Sequence, residues 1–469
     1  MSDTPFGFSS NDPDDPNNPD DKGDKGDKGG SGSDPFGFAA FGQQGGGNFD
    51  PSQLGEMLSQ FGQMLSGMGG AMAGGGDGKG TVNYELASKT AKSALKNVVP
   101  VTAEHTQAVV DAVRLAELWM DENTTMPTGV HVTEAWTPAQ WIDATIDSWQ
   151  RLCDPVANQM ATMWTKGLPA EAQQMAGPMM GMITQMSGAA YGQQLGQALG
   201  HLSTTVLTST EIGLPLGRVG TAALLPAAIA TFGEGLEQPR SEVLMFLAAR
   251  EAAHHRLFSH VPWLSSRLFD AVESYARGIT MDFSAIEEAA RNFDPTSLSD
   301  PSALQDLLGQ GTFEPKDTPE QKAALERLEV LLALVEGWVS TVVGASLHDR
   351  IPGANALGET LRRRRASGGP AEQTFATLVG LELRPRKLRE AAALWSRLTT
   401  DLGIDKRDEV WAHPDLLPDS GDLDNPAGFI DRLLGGDNSD FDNPIAQLER
   451  LEEQERKDRE NPASDEAAD

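Results

Sequence analysis

Through the central part of the chain, apolar residues recur every three or four positions and period-2 alternation is scarce, which predicts helices rather than strands. Val109–Trp119 and Trp141–Val156 read as amphipathic helices. Thr137-Pro138 ahead of the second fits an N-cap followed by proline at the first helical position. Ser241–Leu264 carries Val243, Leu247, Leu257 and Phe258 at helical spacing, with Ser241 as the expected cap. Leu325–Ala345 shows an apolar stripe of Leu325, Leu328, Leu332, Val335, Val339 and Val342. Breaks are expected at the Pro/Gly clusters near 125–129, 213–217, 233–239, 311–319 and 352–370. The fold class is therefore mainly α.

Two stretches raise the question of a membrane. Ala172–Thr210 runs 39 residues without Asp, Glu, Lys or Arg, and its glycines at 188, 192, 196 and 200 are spaced as a helix-packing face. Six glutamines, a histidine and a proline make insertion expensive, so a hairpin in close helix contact is expected. Val330–Leu347 spans 18 residues with one charge, Glu336, and is expected to be a buried core helix. No integral membrane association is expected.

The chain has 469 residues, 68 acidic and 37 basic, for a net charge of −31. That balance argues against a nucleic-acid partner and against anionic lipid, because both require basic surface. Half of the charge sits at the ends. Residues 1–80 hold 12 acidic and 4 basic residues among Gly- and Pro-rich repeats, including two PFGF copies (Pro5–Phe8 and Pro35–Phe38). Residues 436–469 also hold 12 acidic and 4 basic residues. Both are expected to be disordered tails, the second with a short helix over Ile445–Arg459, around a helical domain at 81–435. Cys153 is the single cysteine, which excludes an intrachain disulfide and a multi-cysteine zinc site. No secretory leader pattern opens the chain, and a cytoplasmic location is expected.

The most specific local pattern is Arg250-Glu251-Ala252-Ala253-His254. In His-Glu-x-x-His helices, two histidines four apart hold zinc and the Glu activates a water. Arg250 stands at the first ligand position and has no lone pair to give. Glu251 and His255, also four apart, can pair as carboxylate and imidazole. Alternatively His254 and His255 hydrogen-bond within the core while Arg250 and Glu251 pair elsewhere. Glu336 is either a third metal ligand or the partner of an arginine such as Arg250. The basic stretch Arg362 to Arg365, Arg384, Arg386, Lys387 and Arg389 reads as an anion patch, a solvated face or an internal partner for acidic residues.

These segments together resemble the zincin-like metallopeptidase type 2 family, found mainly in actinobacteria and often labelled zinc-dependent metalloprotease or hydrolase. The resemblance rests on REAAHHRLFSHVPWL (Arg250–Leu264), LVEGWVSTVVG (Leu334–Gly344), GLELRPRKLREAAALW (Gly380–Trp395) and DEVWAHPDLLPDSGDLDNP (Asp408–Pro426). It implies a multi-helix zincin-like domain. By position, Arg250 stands where intact members resemble a first zinc histidine, Glu251 at the catalytic glutamate and His254 at the second histidine. Glu336-Gly337-Trp338 stands where they resemble Glu-Gly-His. The resemblance implies a zinc site, and the departures at Arg250 and Trp338 make it a degenerate one: zinc is a possible cofactor, its absence the leading expectation, with a pseudo-peptidase that binds an unknown protein or peptide in the old groove. A second expectation is an active metallohydrolase with ligands rearranged to His254 or His255, Glu336, and His348 or Asp349. A third is a membrane-associated scaffold using the glycine-spaced stretch.

Overall fold

The structure is a computed structural model that describes residues 81–166, 177–279, 318–366, 370–381 and 387–436. The acidic tails, the PFGF copies, the helix expected over Ile445–Arg459, and Arg384 and Arg386 lie outside those residues. Among the described residues the fold is thirteen α-helices and one pair of short strands.

The first half runs α1 (Tyr84–Ala94), α2 (Ala103–Met120), β1 (Val132–Ala135), α3 (Pro138–Lys166), α4 (Gly177–Ser203), β2 (Thr221–Leu224) and α5 (Pro226–Phe232). The second half runs α6 (Arg240–His260), α7 (Pro262–Arg277), α8 (Pro319–Leu347), α9 (Ala354–Ala366), α10 (Pro370–Val379), α11 (Leu388–Glu409), α12 (Ser420–Asp424) and α13 (Pro426–Gly436). The expected helices at 109–119, 141–156 and 325–345 fall inside α2, α3 and α8.

Local chemistry explains the helix starts. Thr137 Oγ1 accepts the Gln140 amide at 3.3 Å, and Gln140 Oε1 accepts the Thr137 amide at 2.8 Å, so two otherwise orphaned donors are satisfied ahead of α3. Thr318 and Gln321 exchange the same pair of bonds at 3.1 Å each before Pro319 opens α8. α6 departs from expectation by two residues: its N-cap position is Pro239, not Ser241, and it begins at Arg240.

α6 is the central helix. It packs on α2, α8 and β2, and every residue from Met245 to Leu257 is buried. A helix covered on all sides is normally apolar throughout. This one carries Arg250, Glu251, His254, His255 and Arg256 in its buried part. Each needs a polar partner, because an unpaired buried charge costs several kcal/mol. Those partners define the site below.

α8 is the one described helix long and apolar enough to cross a membrane, with a mean hydropathy of 1.8 over its most apolar window. It is mostly buried and packs against α6, α7 and α11. The strands escaped the periodicity reading. β1 and β2 pair in parallel, Val132 opposite Thr221 through Ala135 opposite Leu224. Leu225 donates to the Leu207 carbonyl and Ser209 to that of Ala223, both at 2.9 Å, so the 207–209 segment closes the other edge of β2. Thr-Ala-Ala-Leu is buried at all four positions, so it has no alternation to detect.

Two further expectations are corrected. The Pro/Gly-rich 352–370 region is helical over Ala354–Ala366, because its glycines and prolines flank that run except for Gly358. Within Ala172–Thr210 the described residues form no hairpin: Gly177–Ser203 is the single helix α4, 207–209 runs along β2, and the α4 glycines at 188–200 face α1 and the residues just before it. A Cβ at Gly192 would lie 2.5 Å from the Asn83 carbonyl oxygen, and one at Gly196 would lie 2.5 Å from that of Ala87. The bare backbone therefore permits the close approach. Gly192→Ala is expected to destabilise by about 1–3 kcal/mol through overpacking, against the gain of about 1 kcal/mol from helix propensity at an open position. Urea unfolding would show this, and an unchanged or raised midpoint would contradict it.

Candidate functional site

In a helix, residues four apart share a face and each single step turns by about 100°. Arg250 and His254 thus face one way, Glu251 and His255 the next, and Arg256 a third. The structure gives each face its own partners.

The first face meets Glu336 of α8. Arg250 Nη2 bonds directly to Glu336 Oε2, and Arg365 Nη1 from α9 lies 2.5 Å from the same oxygen. His254 Nε2 sits 3.1 Å from Glu336 Oε1, and its Nδ1 sits 2.8 Å from the Arg250 carbonyl. Arg250 Nη1 reaches Ser340 Oγ at 3.5 Å. Gly213, at φ +81°, lies beside the carboxylate: a Cβ there would come within 3.3 Å of Oε1. A non-glycine residue would be strained at that φ in any case. Burial alone would raise the Glu336 pKa. The Arg365 and Arg250 guanidiniums, with His254, overcome it and hold the carboxyl well below its usual range.

The second face carries Glu251, which is fully buried. Its Oε1 accepts from Ser209 Oγ, from the Ala223 amide of β2 at 3.1 Å and from His255 Nε2 at 3.3 Å. Its Oε2 accepts from the Thr210 amide at 3.2 Å and the Thr210 hydroxyl at 2.5 Å. Burial alone would raise this pKa too. The bond and charge of His255 and the hydroxyls of Ser209 and Thr210 bring it down to about 2. Two carboxylate oxygens offer about four lone-pair directions. Five donors leave none for a water, and a carboxylate titrating near 2 is a poor proton acceptor at neutral pH.

The third face is Arg256, nearly fully buried. It donates to Glu117 Oε2 at 2.5 Å, the Glu117 carbonyl at 2.7 Å, Asp121 Oδ1 at 2.6 Å and the Met126 carbonyl at 2.9 Å. It clamps α6 to α2 and to the loop after α2.

Of the residues singled out by sequence, Arg250, His254 and Glu336 come together. Glu251 lies on the adjacent face with His255. Trp338 does not join them: two positions beyond Glu336 on α8, it points about 200° away. Its Nε1 donates to Asp408 Oδ1 at 2.8 Å in a separate buried cluster with Arg407. His348 and Asp349 are corrected as ligand candidates. Both are mostly exposed, and His348 lies twelve residues past Glu336, about 18 Å along the helix direction. The Arg362–Arg365 run divides by direction. Arg362 and Arg363 pair with Glu359 at the surface. Arg364 and Arg365 turn inward: Arg364 lies 3.4 Å from Glu211 Oε1, and Arg365 also donates to the Glu211 carbonyl. Lys387 binds Asp424 at 2.7 Å.

Sequence reading missed Arg365, Ser209, Thr210 and Gly213 as members of the site. One signal for Arg365 was present. Four consecutive arginines on a helix cover its whole circumference, so at least one must face inward if the helix packs.

The first position of the motif does not fit a zinc centre, because Arg250 has no lone pair to give; His254, with Nδ1 on the Arg250 carbonyl and Nε2 toward Glu336, does not by itself decide the matter. Among the described residues no group of three His, Cys, Asp or Glu is placed to hold a metal. An open depression between α1 and α3, lined by Tyr84, Ser88, Lys92, Ile146, Asp147 and Gln150, shares no residue with the site. Cys153 is buried in the core and its thiol is pushed up to about 12 by burial, so it is no nucleophile.

A family model described as zincin-like metallopeptidase matches residues 82–430. No curated protein gives a significant match. Among solved structures, the chain is similar to a crystal structure from Chloroflexus aurantiacus described as "a putative hydrolase with a novel fold". Identity is 20%, the match covers 75% of this chain and 98% of that one, and the TM-score is 0.53. At that identity the likeness is one of fold.

Proposed function

Because the chain belongs to the zincin-like metallopeptidase family, we propose that it is a member that has lost zinc peptidase chemistry and acts by binding a protein or peptide partner. The observation that carries this is the Arg250 guanidinium bonded to Glu336, with His254 on the same carboxylate. A cation fixed in the chain holds the carboxylate, and the carboxylate meets the imidazole, the two groups that a metal would otherwise use. A guanidinium beside them also repels a dication. The saturated, acidic Glu251 supports the same reading, since a general base needs a free lone pair and a pKa nearer the working pH.

Elemental analysis tests it. Full-length protein, washed with chelator, incubated with zinc and desalted, is expected to retain far less than one zinc per chain, with no difference between wild type and His254→Ala. About one zinc per chain in wild type, lost in His254→Ala, would overturn the proposal and restore an active hydrolase with rearranged ligands.

A further inference from the structure

We infer that Arg250 is a structural cation that replaces a metal as the crosslink between α6 and α8, so that this fold is metal-independent where a histidine at the same position would make it metal-dependent. The inference rests on the reading above and adds a load-carrying role to it.

Glu336 is 4% exposed and sits in the middle of α8. A carboxylate there is tolerated only with compensating positive charge and hydrogen bonds. Its two oxygens divide the task. Oε1 faces His254, while Oε2 takes Arg250 from α6 and Arg365 from α9. One carboxylate thus ties three helices together. Both arginines act on Glu336 Oε2, but only Arg250 comes from α6, so only it links α6 to α8 through a charge; its side chain is 9% exposed against 20% for Arg365.

The arrangement repeats the logic of a metal centre. Positions 250 and 254 lie one turn apart on one face, and an acid from a second helix meets both. Only the cation differs: it is covalently part of the chain. Its place is also specific. The guanidinium uses one nitrogen for Glu336 and another for Ser340, both on α8, while the Arg250 carbonyl holds the His254 ring. Gly213 lies on the Oε1 side of the carboxylate, where a Cβ would come within 3.3 Å of that oxygen.

The test compares thermal unfolding of the full chain, with chelator and with zinc alone, for wild type, Arg250→Met, Arg250→Lys and Arg250→His. The wild-type midpoint is expected to be the same in both conditions. Arg250→Met is expected to fall by more than about 5 °C, because it leaves a buried carboxylate short of charge, and zinc should not restore it. Arg250→Lys keeps the charge and should lose less than half as much. Arg250→His should fall in chelator and recover at least half of the loss with zinc, the recovery disappearing on adding Glu336→Gln.

Either of two results would overturn the inference: an unchanged midpoint in Arg250→Met, or no zinc response in Arg250→His. If Arg250→His does not fold without metal, refolding yield with and without zinc reads the same question. Zinc retained by wild type would instead overturn the pseudo-peptidase reading, so the two failures are distinguishable.

Discussion

Glu251→Gln is expected to destabilise the fold by about 3–5 kcal/mol, the range for breaking a buried, fully hydrogen-bonded charge. Here the carboxylate joins α6 to β2 through the Ala223 amide and to the segment before it through Ser209 and Thr210. A glutamine turns one acceptor into a donor among five donors, and at least one N–H or hydroxyl is left facing another. Urea unfolding at neutral pH measures the loss. A variant as stable as wild type would show that Glu251 ties nothing together.

The same residue sets an acid dependence whose sign follows from its pKa. The folded value, about 2, lies below the ordinary 4.5, so the stabilisation is complete above 4.5 and is lost as pH falls toward 2. The gap corresponds to about 3 kcal/mol. Wild type should therefore lose that much more than Glu251→Gln between pH 5 and pH 2, and parallel acid profiles would refute it. Glu336 and Asp408, both lowered by neighbouring arginines against the effect of burial, add to the acid sensitivity of both proteins alike.

Asp408→Ala is expected to have the second large effect, about 3–5 kcal/mol. Asp408 Oδ2 accepts from the Thr124 hydroxyl at 2.6 Å and the Thr125 amide at 2.8 Å, while Oδ1 accepts from Trp338 and from Arg407 Nε, each at 2.8 Å. Arg407 is 1% exposed. Without the carboxylate its charge keeps the Asn123 carbonyl at 2.8 Å, the Thr399 hydroxyl at 3.3 Å and the Trp338 ring face, 5.8 Å from its centroid, none of them a counter-charge. Trp338→Phe removes one donor and some volume from the same node and should cost only about 1–2 kcal/mol. If the two variants are equally stable by chemical denaturation, the node does not join α8, α11 and the loop after α2 in the way its geometry indicates.

These two clusters also show how far the sequence could be read. The node around Asp408 gathers residues from 123–125, 338 and 407–408, and the Glu251 cluster gathers 209–210, 223 and 251–255. Neither grouping has a spacing that announces it. The family resemblance sets Glu336-Gly337-Trp338 where intact members resemble Glu-Gly-His, and so joins Trp338 to Glu336 in one motif. On a helix a spacing of two separates them, and only the packing of α11 against α8 shows where Trp338 went.

What the sequence determined by itself is what local periodicity and side-chain chemistry encode. Apolar spacing in 109–119, 141–156 and 325–345 marked three helices, and Thr137-Pro138 marked the start of one. Arg250 was excluded as a ligand by its lack of a lone pair, and Glu336, a lone charge in an apolar helix, required a partner. Tertiary structure alone decided the rest. That Arg365 as well as Arg250 would answer Glu336 depended on how α6, α8 and α9 meet. That Glu251 would be saturated by β2 and the 209–210 segment depended on a chain path with no local signature. That the α4 glycines would face α1 was decided the same way. Period and charge act within a turn of helix. The partner of a buried charge is set by chain segments tens to hundreds of residues away, whose arrival depends on the packing of the whole core.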